Sequence, residues 1–340
     1  MLPKDYINYR LTGVHATDYS DASGMLLLDV KNKCWSEEML GICGLSEKQM
    51  PCLFESYEKI GTVSAEAAKE TDLCADISVA AGAGDNAAAA IGMATVGEGK
   101  CNISLGTSGT VFISSEKFSV DTNNSLHAFC HADGGYHLMG CILSAASCNK
   151  WFCDYVLNIN DYASEQAKIT DAMLGANEVF FLPYLMGERS PVSDTNATGM
   201  FIGLRPDTSG TDMLLAVLEG VAFAVRDNVE IAKSLGISIE KSTVCGGGAK
   251  SKLWMKILAN VLNIEINIPT TEEGPGFGGA LLAMVASGAY ASISECVNVE
   301  IKEKITPDKE LTALYEKRYN KFKKLYPNVK NLYKELKEEN

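Results

Sequence analysis

The sequence has no long apolar run, and it has no apolar segment at its N-terminus. Its longest apolar stretches, 214–225 and 280–286, are short or are interrupted by a charge such as Glu219, whereas a membrane-spanning helix needs about 20 consecutive apolar residues. The opening residues Met1-Leu2-Pro3-Lys4-Asp5-Tyr6 contain neither the apolar core nor the cleavage site of a secretory signal. We therefore expect no membrane span and a cytoplasmic protein.

Positive charge is also scarce. The chain has 30 Lys and Arg against 43 Asp and Glu, which gives a net charge of −13. Nucleic-acid partners are disfavoured because phosphate backbones are held mainly by surface Lys and Arg. A nucleotide such as ATP is not disfavoured, since backbone N–H groups and Mg²⁺ bind it locally.

The eleven cysteines are odd in number, scattered and without a CxxC pair, which predicts reduced thiols. One cluster, His127, Cys130 and His131 with His137 after it, contains side chains that can bind a metal. Its HxxCH spacing lacks the second cysteine of haem attachment and the paired spacing of a zinc site. Structural packing is the favoured interpretation and we predict no metal, although a metal site stays an alternative.

A length of 340 residues exceeds a usual single core, so two α/β domains are expected. The glycine-containing link Val96-Gly97-Glu98-Gly99-Lys100 predicts a boundary between a domain at 1–98 and a second domain at 99–305. Residues 306–340 form a separate charged, amphipathic helical region that Asp308 caps. The sequence does not choose between a monomer and a homodimer.

Strand and helix patterns alternate along the chain. No strand is evident in the first forty residues, and the first strong one is 77–80, which leads into a helix from Asn86. The other predicted elements are a β-hairpin (102–105 and 110–113), strands at 136–143 and 179–182, a helix around Trp151, a long helix from Thr211 that stops near Gly236, a strand at 242–245 with a helix at 251–262, and a strand at 264–268 with a helix at 277–285.

Glycine-rich turns follow four of the predicted strands. Those at 82–85, 246–248 and 274–279 lead into helices, whose N-termini expose backbone N–H groups at a positive dipole end. The hairpin turn at 106–109 can form an anion-binding nest without a helix. Several such turns with a neighbouring carboxylate predict a phosphate site.

Asp85 is that carboxylate, since it lies between a strand and a helix among small residues. Two interpretations are open at this point, a catalytic carboxylate and an N-cap of the alanine-rich helix, because Asp is a favoured cap residue.

A further pattern, Gly274-Pro275-Gly276-Phe277-Gly278-Gly279, satisfies GxGxxG, the fingerprint of a dinucleotide fold and hence of an NAD oxidoreductase. Against it, residues 270–273 separate the strand from the first glycine, and Pro275 stiffens the turn. The oxidoreductase is therefore a minor alternative.

A more specific pattern is Gly199-Met200-Phe201-Ile202-Gly203-Leu204, followed after seven residues by Asp-Met-Leu-Leu-Ala-Val-Leu-Glu-Gly at 212–220. Six further segments precede it: Leu2-Pro3-Lys4-Asp5-Tyr6, Ser20-Asp21-Ala22-Ser23-Gly24, Gly84-Asp85-Asn86-Ala87-Ala88, Ser104-Leu105-Gly106-Thr107-Ser108-Gly109, His127-Ala128-Phe129-Cys130-His131-Ala132 and Gly187-Glu188-Arg189-Ser190-Pro191. Together they resemble the FGGY carbohydrate kinases, and within that family they are similar to the xylulokinases over essentially the whole chain.

The resemblance implies an actin-like, ribonuclease H-like ATPase fold, with ATP and a sugar bound between two α/β domains. It implies transfer of the ATP γ-phosphoryl group to a ketopentose, with xylulose ahead of other ketoses, and Mg²⁺ as the metal on the nucleotide. The family's catalytic base matches Asp85, and the family's HxxCH segment carries no metal. The matching nucleotide-binding residues are Gly106, Thr107, Ser108 and Gly109 at the phosphates, and Gly246, Gly247, Gly248, Ala249 and Ser251 at the adenosine.

The chain departs from the family pattern at its start. Family members begin with a β-hairpin that carries a DxGTxS-type phosphate motif, and no such motif precedes Leu2-Pro3-Lys4. We expect a complete C-terminal domain, a remnant of the N-terminal one, and no sugar kinase activity from the chain by itself. A non-catalytic nucleotide-binding protein of the same fold is the main alternative to a sugar kinase.

Overall fold

Helices and strands alternate through the computed structural model of the protein, which describes residues 1–270 and 274–338. The helices are α1 (Pro3–Thr12), α2 (Tyr19–Ala22), α3 (Glu37–Ile42), α4 (Ala65–Thr71), α5 (Asp85–Gly92), α6 (Ala146–Trp151), α7 (Tyr162–Gln166), α8 (Gly210–Ser234), α9 (Lys252–Leu262), α10 (Pro275–Ala286), α11 (Ile293–Cys296), α12 (Lys309–Phe322) and α13 (Leu325–Glu338). No helix among these residues is long and apolar enough to cross a membrane.

The strands are β1 (Ala16–Asp18), β2 (Leu28–Asp29), β3 (Cys34–Trp35), β4 (Cys52–Phe54), β5 (Lys59–Thr62), β6 (Ser78–Ala80), β7 (Cys101–Leu105), β8 (Gly109–Ser115), β9 (His127–Cys130), β10 (Tyr136–Ile142), β11 (Phe180–Leu182), β12 (Met200–Ile202), β13 (Lys241–Cys245), β14 (Glu265–Pro269) and β15 (Ile301–Ile305). The predicted hairpin at 102–113 is confirmed as the antiparallel pair β7–β8.

A seven-stranded sheet organises the chain after residue 100, in the order β15-β14-β13-β7-β8-β10-β9. Its centre is parallel, because β13 pairs in parallel with both β7 and β14, with Val244 opposite Ile103. The strands on either side, β8 and β15, run antiparallel to their neighbours. Two parallel neighbours end at the same edge of a sheet, so the turns that follow β7 and β13 lie side by side.

One face of this sheet holds the main core. Ile103, Val244 and Ile266 are fully buried there, together with helix α8, whose apolar residues follow helical spacing for most of its length. The indole N–H of Trp254 in α9 donates to the carbonyl of Leu218 in α8 at 2.9 Å. The predicted long helix and its stop are confirmed, since α8 ends just before Gly236, which has a φ of 91°.

Residues before 100 form small two-stranded sheets instead, β1–β4 (parallel), β2–β3 and β5–β6. The expectation of no strand in the first forty residues was therefore wrong. These strands are two to four residues long, too short to show a clear period-2 pattern in the sequence. The proposed division into 1–98, 99–305 and 306–340 stays a prediction.

The C-terminal region was expected as one helix and is two, α12 and α13. Pro327 lies in the first turn of α13, a position that proline tolerates in a helix, whereas it cannot continue one. Helix α12 is joined to the core by an ion pair in which the Arg318 guanidinium lies 2.6 Å from the carboxylate of buried Glu219 in α8. Burial raises the pKa of Glu219 to about 7, and the guanidinium acts in the opposite direction.

Helices α5 and α10 pack in close contact at Gly278. A Cβ atom built on Gly278 lies 1.8 Å from the carbonyl oxygen of Ala88 in α5, whereas one built on its neighbour Gly279 meets no atom within 4 Å. Glycine at 278 therefore sets the distance between the two helices.

We expect Gly278→Ala to lower the free energy of unfolding by about 1–3 kcal/mol, because the added methyl forces the helices apart. The matched control Gly279→Ala should be neutral or stabilise the chain by up to about 1 kcal/mol, since alanine favours a helix over glycine. Urea unfolding followed by circular dichroism measures both. Equal unfolding midpoints for the two variants would contradict this account of the contact.

Candidate functional site

A cavity of about 560 Å³ lies where β7 and β13 end. It brings together two of the predicted glycine turns, since Gly106, Thr107, Gly247, Gly248 and Ser251 all line it. The rest of its wall comes from α6, α7 and the start of α9 with the residue Lys250 before it: Ala146, Ser147, Asn149, Lys150, Tyr162, Ala163, Gln166, Lys250 and Trp254. The other predicted residues of these turns, Ser108, Gly109, Gly246 and Ala249, do not line the cavity.

Hydrogen bonds to its carbonyl groups fix the hairpin turn after β7. Its carbonyl groups accept backbone hydrogen bonds from the start of α6, Gly106 from Ala146 N at 2.9 Å and Thr107 from Ala145 N at 3.0 Å. The Ser147 hydroxyl also donates to the Thr107 carbonyl at 2.7 Å. Thr107 and Ser108 are exposed at the tip. The turn therefore presents its outer side to a ligand while its carbonyls are already bonded.

The turn after β13 packs directly against β7. Gly246 has a φ of 89°, and a Cβ atom there would lie 2.8 Å from the carbonyl carbon and oxygen of Leu105. At Gly248 a Cβ atom would lie 2.8 Å from the Leu105 Cβ, while at Gly247 nothing lies within 4 Å. Two of the three glycines are thus required by packing, and Gly247 faces open space.

Ser251 begins a polar chain along the cavity wall. Its hydroxyl caps α9 by accepting a hydrogen bond from Trp254 N at 3.1 Å, and it donates to Gln166 Oε1 at 2.6 Å. Gln166 Nε2 in turn donates to Asn149 Oδ1 at 3.3 Å. No pattern in the sequence pointed to Asn149 or Gln166, because they come from other helices and belong to no glycine turn.

Asp85 is the exposed first residue of α5 and does not line this cavity. Gly84, not Asp85, occupies the N-cap position. The carboxylate accepts hydrogen bonds from the backbone N and the Nδ2 of Asn86, both at Oδ1. The N-cap interpretation of Asp85 was therefore wrong, and its Oδ2 accepts no hydrogen bond from any residue that the structure describes.

A charged cluster that the sequence did not reveal supports the turn before Asp85. The Lys4 ammonium lies 2.8 Å from Asp5, 3.0 Å from Asp18 and 4.0 Å from Asp21, and it donates to the carbonyl of Ala81 at 3.1 Å. These groups join residues about 80 positions apart in the chain, which no local pattern could predict.

Asp21 also lies beside that turn. A Cβ atom built on Gly84 would lie 3.3 Å from its Oδ1. Burial raises the pKa of Asp21 to about 6, with Lys4 opposing the shift and neighbouring carboxylates, Asp85 among them, adding to it. The Ser20 hydroxyl links the charged cluster to the turn, because it donates to Asp18 at 2.5 Å and accepts from Gly84 N at 3.1 Å.

The HxxCH cluster is part of the packing around β9 and β10. His131 Nε2 lies 2.8 Å from the carbonyl of Thr95, and the His137 ring stacks on Phe112 at 4.1 Å between centroids. Burial lowers the pKa of both imidazoles, and that of His137 lies well below its usual range. In residues 1–270 and 274–338 no three His, Cys, Asp or Glu side chains are grouped as metal ligands.

The GxGxxG segment forms the first turns of α10, with Gly274 at the N-cap and Pro275 as the first helical residue. Residues 271–273, on which part of this interpretation depended, lie outside the described residues. Gly278 contacts Ala88 of α5, so these glycines allow two helices to approach each other. This packing gives no support to a dinucleotide site.

Comparison with known proteins extends these observations. Residues 1–92 match the model of the FGGY family of carbohydrate kinases, N-terminal domain, and residues 101–287 match that of its C-terminal domain. The chain is 38% identical to the xylulose kinase of Escherichia coli (strain K12) over 332 residues, which cover 97% of this chain and 68% of the relative.

Solved structures agree with this match. A xyloylose kinase from Brucella ovis superposes with a TM-score of 0.91 at 39% identity, covering 98% of this chain and 69% of that one. A gluconate kinase from Lactobacillus acidophilus superposes with a TM-score of 0.90 at 25% identity, covering 98% of this chain and 68% of that one. The actin-like α/β fold expected from the resemblance is confirmed. The chain belongs to the FGGY family of carbohydrate kinases.

Proposed function

We propose that this chain supplies the nucleotide site and the catalytic carboxylate of an ATP-dependent sugar kinase whose acceptor is the 5-hydroxyl of D-xylulose. The observation that carries the proposal is the cavity at the ends of β7 and β13, where two glycine turns of a carbohydrate kinase family member meet. Support for xylulose comes from the 38% identity to the Escherichia coli xylulose kinase.

The cavity suits a nucleotide in size and in lining. Its volume of about 560 Å³ falls within the roughly 300–1,000 Å³ of small-molecule sites. In the proposed arrangement the turn at Thr107 binds the phosphates through backbone N–H groups and its hydroxyl. Gly247 faces the adenosine, and the Ser251–Gln166–Asn149 chain offers amide and hydroxyl groups to it.

Mg²⁺ bound to ATP would neutralise the phosphate charge. This ion keeps phosphate and water oxygens as most of its ligands and takes one or two carboxylates from a protein. Asp21 offers a carboxylate oxygen of that kind beside the Gly84 turn.

Asp85 would accept the proton of the attacking hydroxyl. Asn86 fixes its Oδ1 through two hydrogen bonds, which orients Oδ2 for the acceptor. Lys4 and Ser20 hold the preceding turn in place. Phosphoryl transfer depends mainly on such positioning and on charge stabilisation.

A different acceptor is the second candidate. The gluconate kinase from Lactobacillus acidophilus superposes on the chain with nearly the same TM-score as the xyloylose kinase. The fold is therefore compatible with more than one sugar acceptor, and substrate assays must compare D-xylulose with D-gluconate.

We expect Gly247→Val to weaken ADP binding by at least about tenfold, because a β-branched side chain fills space that the backbone leaves open to the ligand. Isothermal titration of ADP into the chain measures the affinity, and circular dichroism checks the fold. Gly248→Val is a poorer test, because a Cβ atom there already meets Leu105 at 2.8 Å.

The control for this experiment is Gly24→Val, at another exposed glycine whose Cβ position is open and which lies outside the cavity. Unchanged ADP affinity in a folded Gly247→Val variant would reject the placement of the nucleotide.

We expect Asp85→Asn to lower sugar-dependent ADP formation by about 10²- to 10⁴-fold, the usual cost of losing a general base, with ADP affinity nearly unchanged. The assay uses the chain alone and the chain joined to the remaining N-terminal residues of the Escherichia coli relative, each with D-xylulose and with D-gluconate. Asp72→Asn, at an exposed helix C-cap, is the matched control. Near-normal turnover by Asp85→Asn would remove this residue from the mechanism, and turnover with neither sugar would refute the proposed reaction.

A further inference from the structure

The central sheet has a polar face as well as an apolar one. Asn102, Thr243 and Asn267 lie opposite one another in register on the parallel strands β7, β13 and β14. Side chains alternate along a strand, so these three lie on the face opposite to Ile103, Val244 and Ile266 in the core. The same face carries a small apolar cluster, Ala90, Phe112 and Met139, beside β8 and β10. The polar row is therefore confined to β7, β13 and β14, and its buried polar groups need bonding partners or a ligand.

A second cavity, of about 170 Å³, opens on this polar face at the beginning of the strands. The first cavity lies at their ends, so the two are separated by the length of the sheet. The segment Met93–Thr95 between α5 and β7 forms one wall. The complete lining is Met93, Ala94, Thr95, Lys100, Cys101, Lys241, Thr243, Asn267, Val299 and Ile301.

Two lysines mark the mouth of this cavity. Cys101 pairs with Ser242, so Lys100 and Lys241 directly precede that pair on adjacent strands. Both side chains are exposed, no carboxylate lines the cavity, and neither lysine forms an ion pair with any residue that the structure describes. Glu265 lies opposite Lys241 in the register of β13 and β14 but forms no ion pair with it. Two neighbouring positive charges repel each other, and an anion between them would reduce that repulsion.

Two buried polar atoms in the lining also lack partners. Thr95 is 1% exposed and Asn267 is 7% exposed, yet Thr95 Oγ1 and Asn267 Oδ1 make no hydrogen bond within the described residues. Leaving such a group unsatisfied costs about 1–3 kcal/mol. The Thr95 backbone is fixed, because its N donates to Ala90 O at 2.8 Å and its carbonyl lies 2.8 Å from His131 Nε2. Its hydroxyl therefore stays in the cavity wall.

We propose that this cavity is a binding site for a phosphate group, either inorganic phosphate or the phosphate of a small ester. The ammonium groups of Lys100 and Lys241 supply the charge, and the Thr95 and Thr243 hydroxyls and Asn267 Nδ2 supply neutral donors. Asn267 Oδ1 is an acceptor, and the O–H of a hydrogen phosphate would donate to it. A volume of about 170 Å³ is below the roughly 300–1,000 Å³ of sites for larger ligands. The site therefore takes a phosphate with a short stem and excludes a nucleotide.

Binding there joins two parts of the molecule. Thr95 belongs to the segment between α5 and the sheet, while Lys241 and Asn267 belong to the sheet itself. A phosphate that contacts all three residues links the segment to the sheet and restrains the motion of the segment. The concentration of phosphate then controls how flexible the connection between α5 and the sheet is.

The test is an isothermal titration of inorganic phosphate into the full chain at constant ionic strength, with and without saturating ADP. We expect binding to persist with ADP present and also in the Gly247→Val variant, because the first cavity is separate. Lys100→Gln and Lys241→Gln should each weaken phosphate binding at least about tenfold, the loss of a charge-assisted contact worth about 1.5–3 kcal/mol. Lys302→Gln, at an exposed lysine of β15 outside the lining, is the matched control and should bind normally.

A phosphate signal that ADP abolishes, or that survives Lys241→Gln unchanged, would overturn the proposal. This result is independent of sugar kinase activity, which the titration does not measure. A parallel titration with glycerol phosphate shows which of the two proposed ligands the cavity prefers. Tighter binding of the ester indicates an ester ligand, and tighter binding of the free ion indicates inorganic phosphate. If neither binds to the unmodified chain, the site is rejected.

Thr95→Val gives a second measurement that does not depend on charge. Valine keeps the shape of threonine and removes the unpartnered hydroxyl, so the unliganded chain should unfold at equal or higher urea concentration while phosphate binds more weakly. Hydrogen exchange in residues 93–100 should slow on adding phosphate to the unmodified chain and should not change in Lys241→Gln. Equal slowing in both proteins would count against a link through this cavity.

Discussion

The contact between the Gly246 turn and Leu105 is the constraint on which the first cavity depends. A side chain at position 246 would collide with the carbonyl of Leu105, and a side chain at 248 would meet its Cβ. Only with glycine at these positions can the turn after β13 close onto the end of β7. That closure places the two glycine turns on the same edge of the sheet, where each can present backbone groups to one ligand.

Buried charges join parts of the chain that are distant in sequence. Arg318 reaches Glu219 in the centre of α8, and Lys4 gathers three aspartates and the carbonyl of Ala81. A charge removed from water needs a partner, and loss of one member leaves the other uncompensated at a cost of several kcal/mol. These clusters fix the geometry of α12 against the core and of the turn before Asp85.

The two cavities use the same sheet in different ways. At the strand ends, backbone groups of glycine turns face the larger cavity. At the strand beginnings, side chains from three parallel strands face the smaller one. Side chains alternate between the two faces of the sheet along β13. Val244 therefore lies in the core, while Lys241 and Thr243 lie on the opposite face.

Local patterns in the sequence predicted much of this architecture: the hairpin at 102–113, the long helix α8, the helix that starts at Ser251 and the glycine turns. Each of these depends on residues close together in the chain, which is why spacing and composition were sufficient. The short strands before Ile77, the break before Leu325 and the role of Gly84 as N-cap were not predicted, since packing against distant segments decides them.

The sequence by itself determined the family and the positions of the two glycine turns, because contiguous motifs carry both. Only the tertiary structure decided that Asn149 and Gln166 stand beside Ser251, that Lys4 supports the turn of Asp85, and that Lys100 lies next to Lys241. The physical reason is that strand pairing and helix packing join residues that are tens to more than a hundred positions apart. Local patterns in the sequence do not predict which of these distant residues will be in contact.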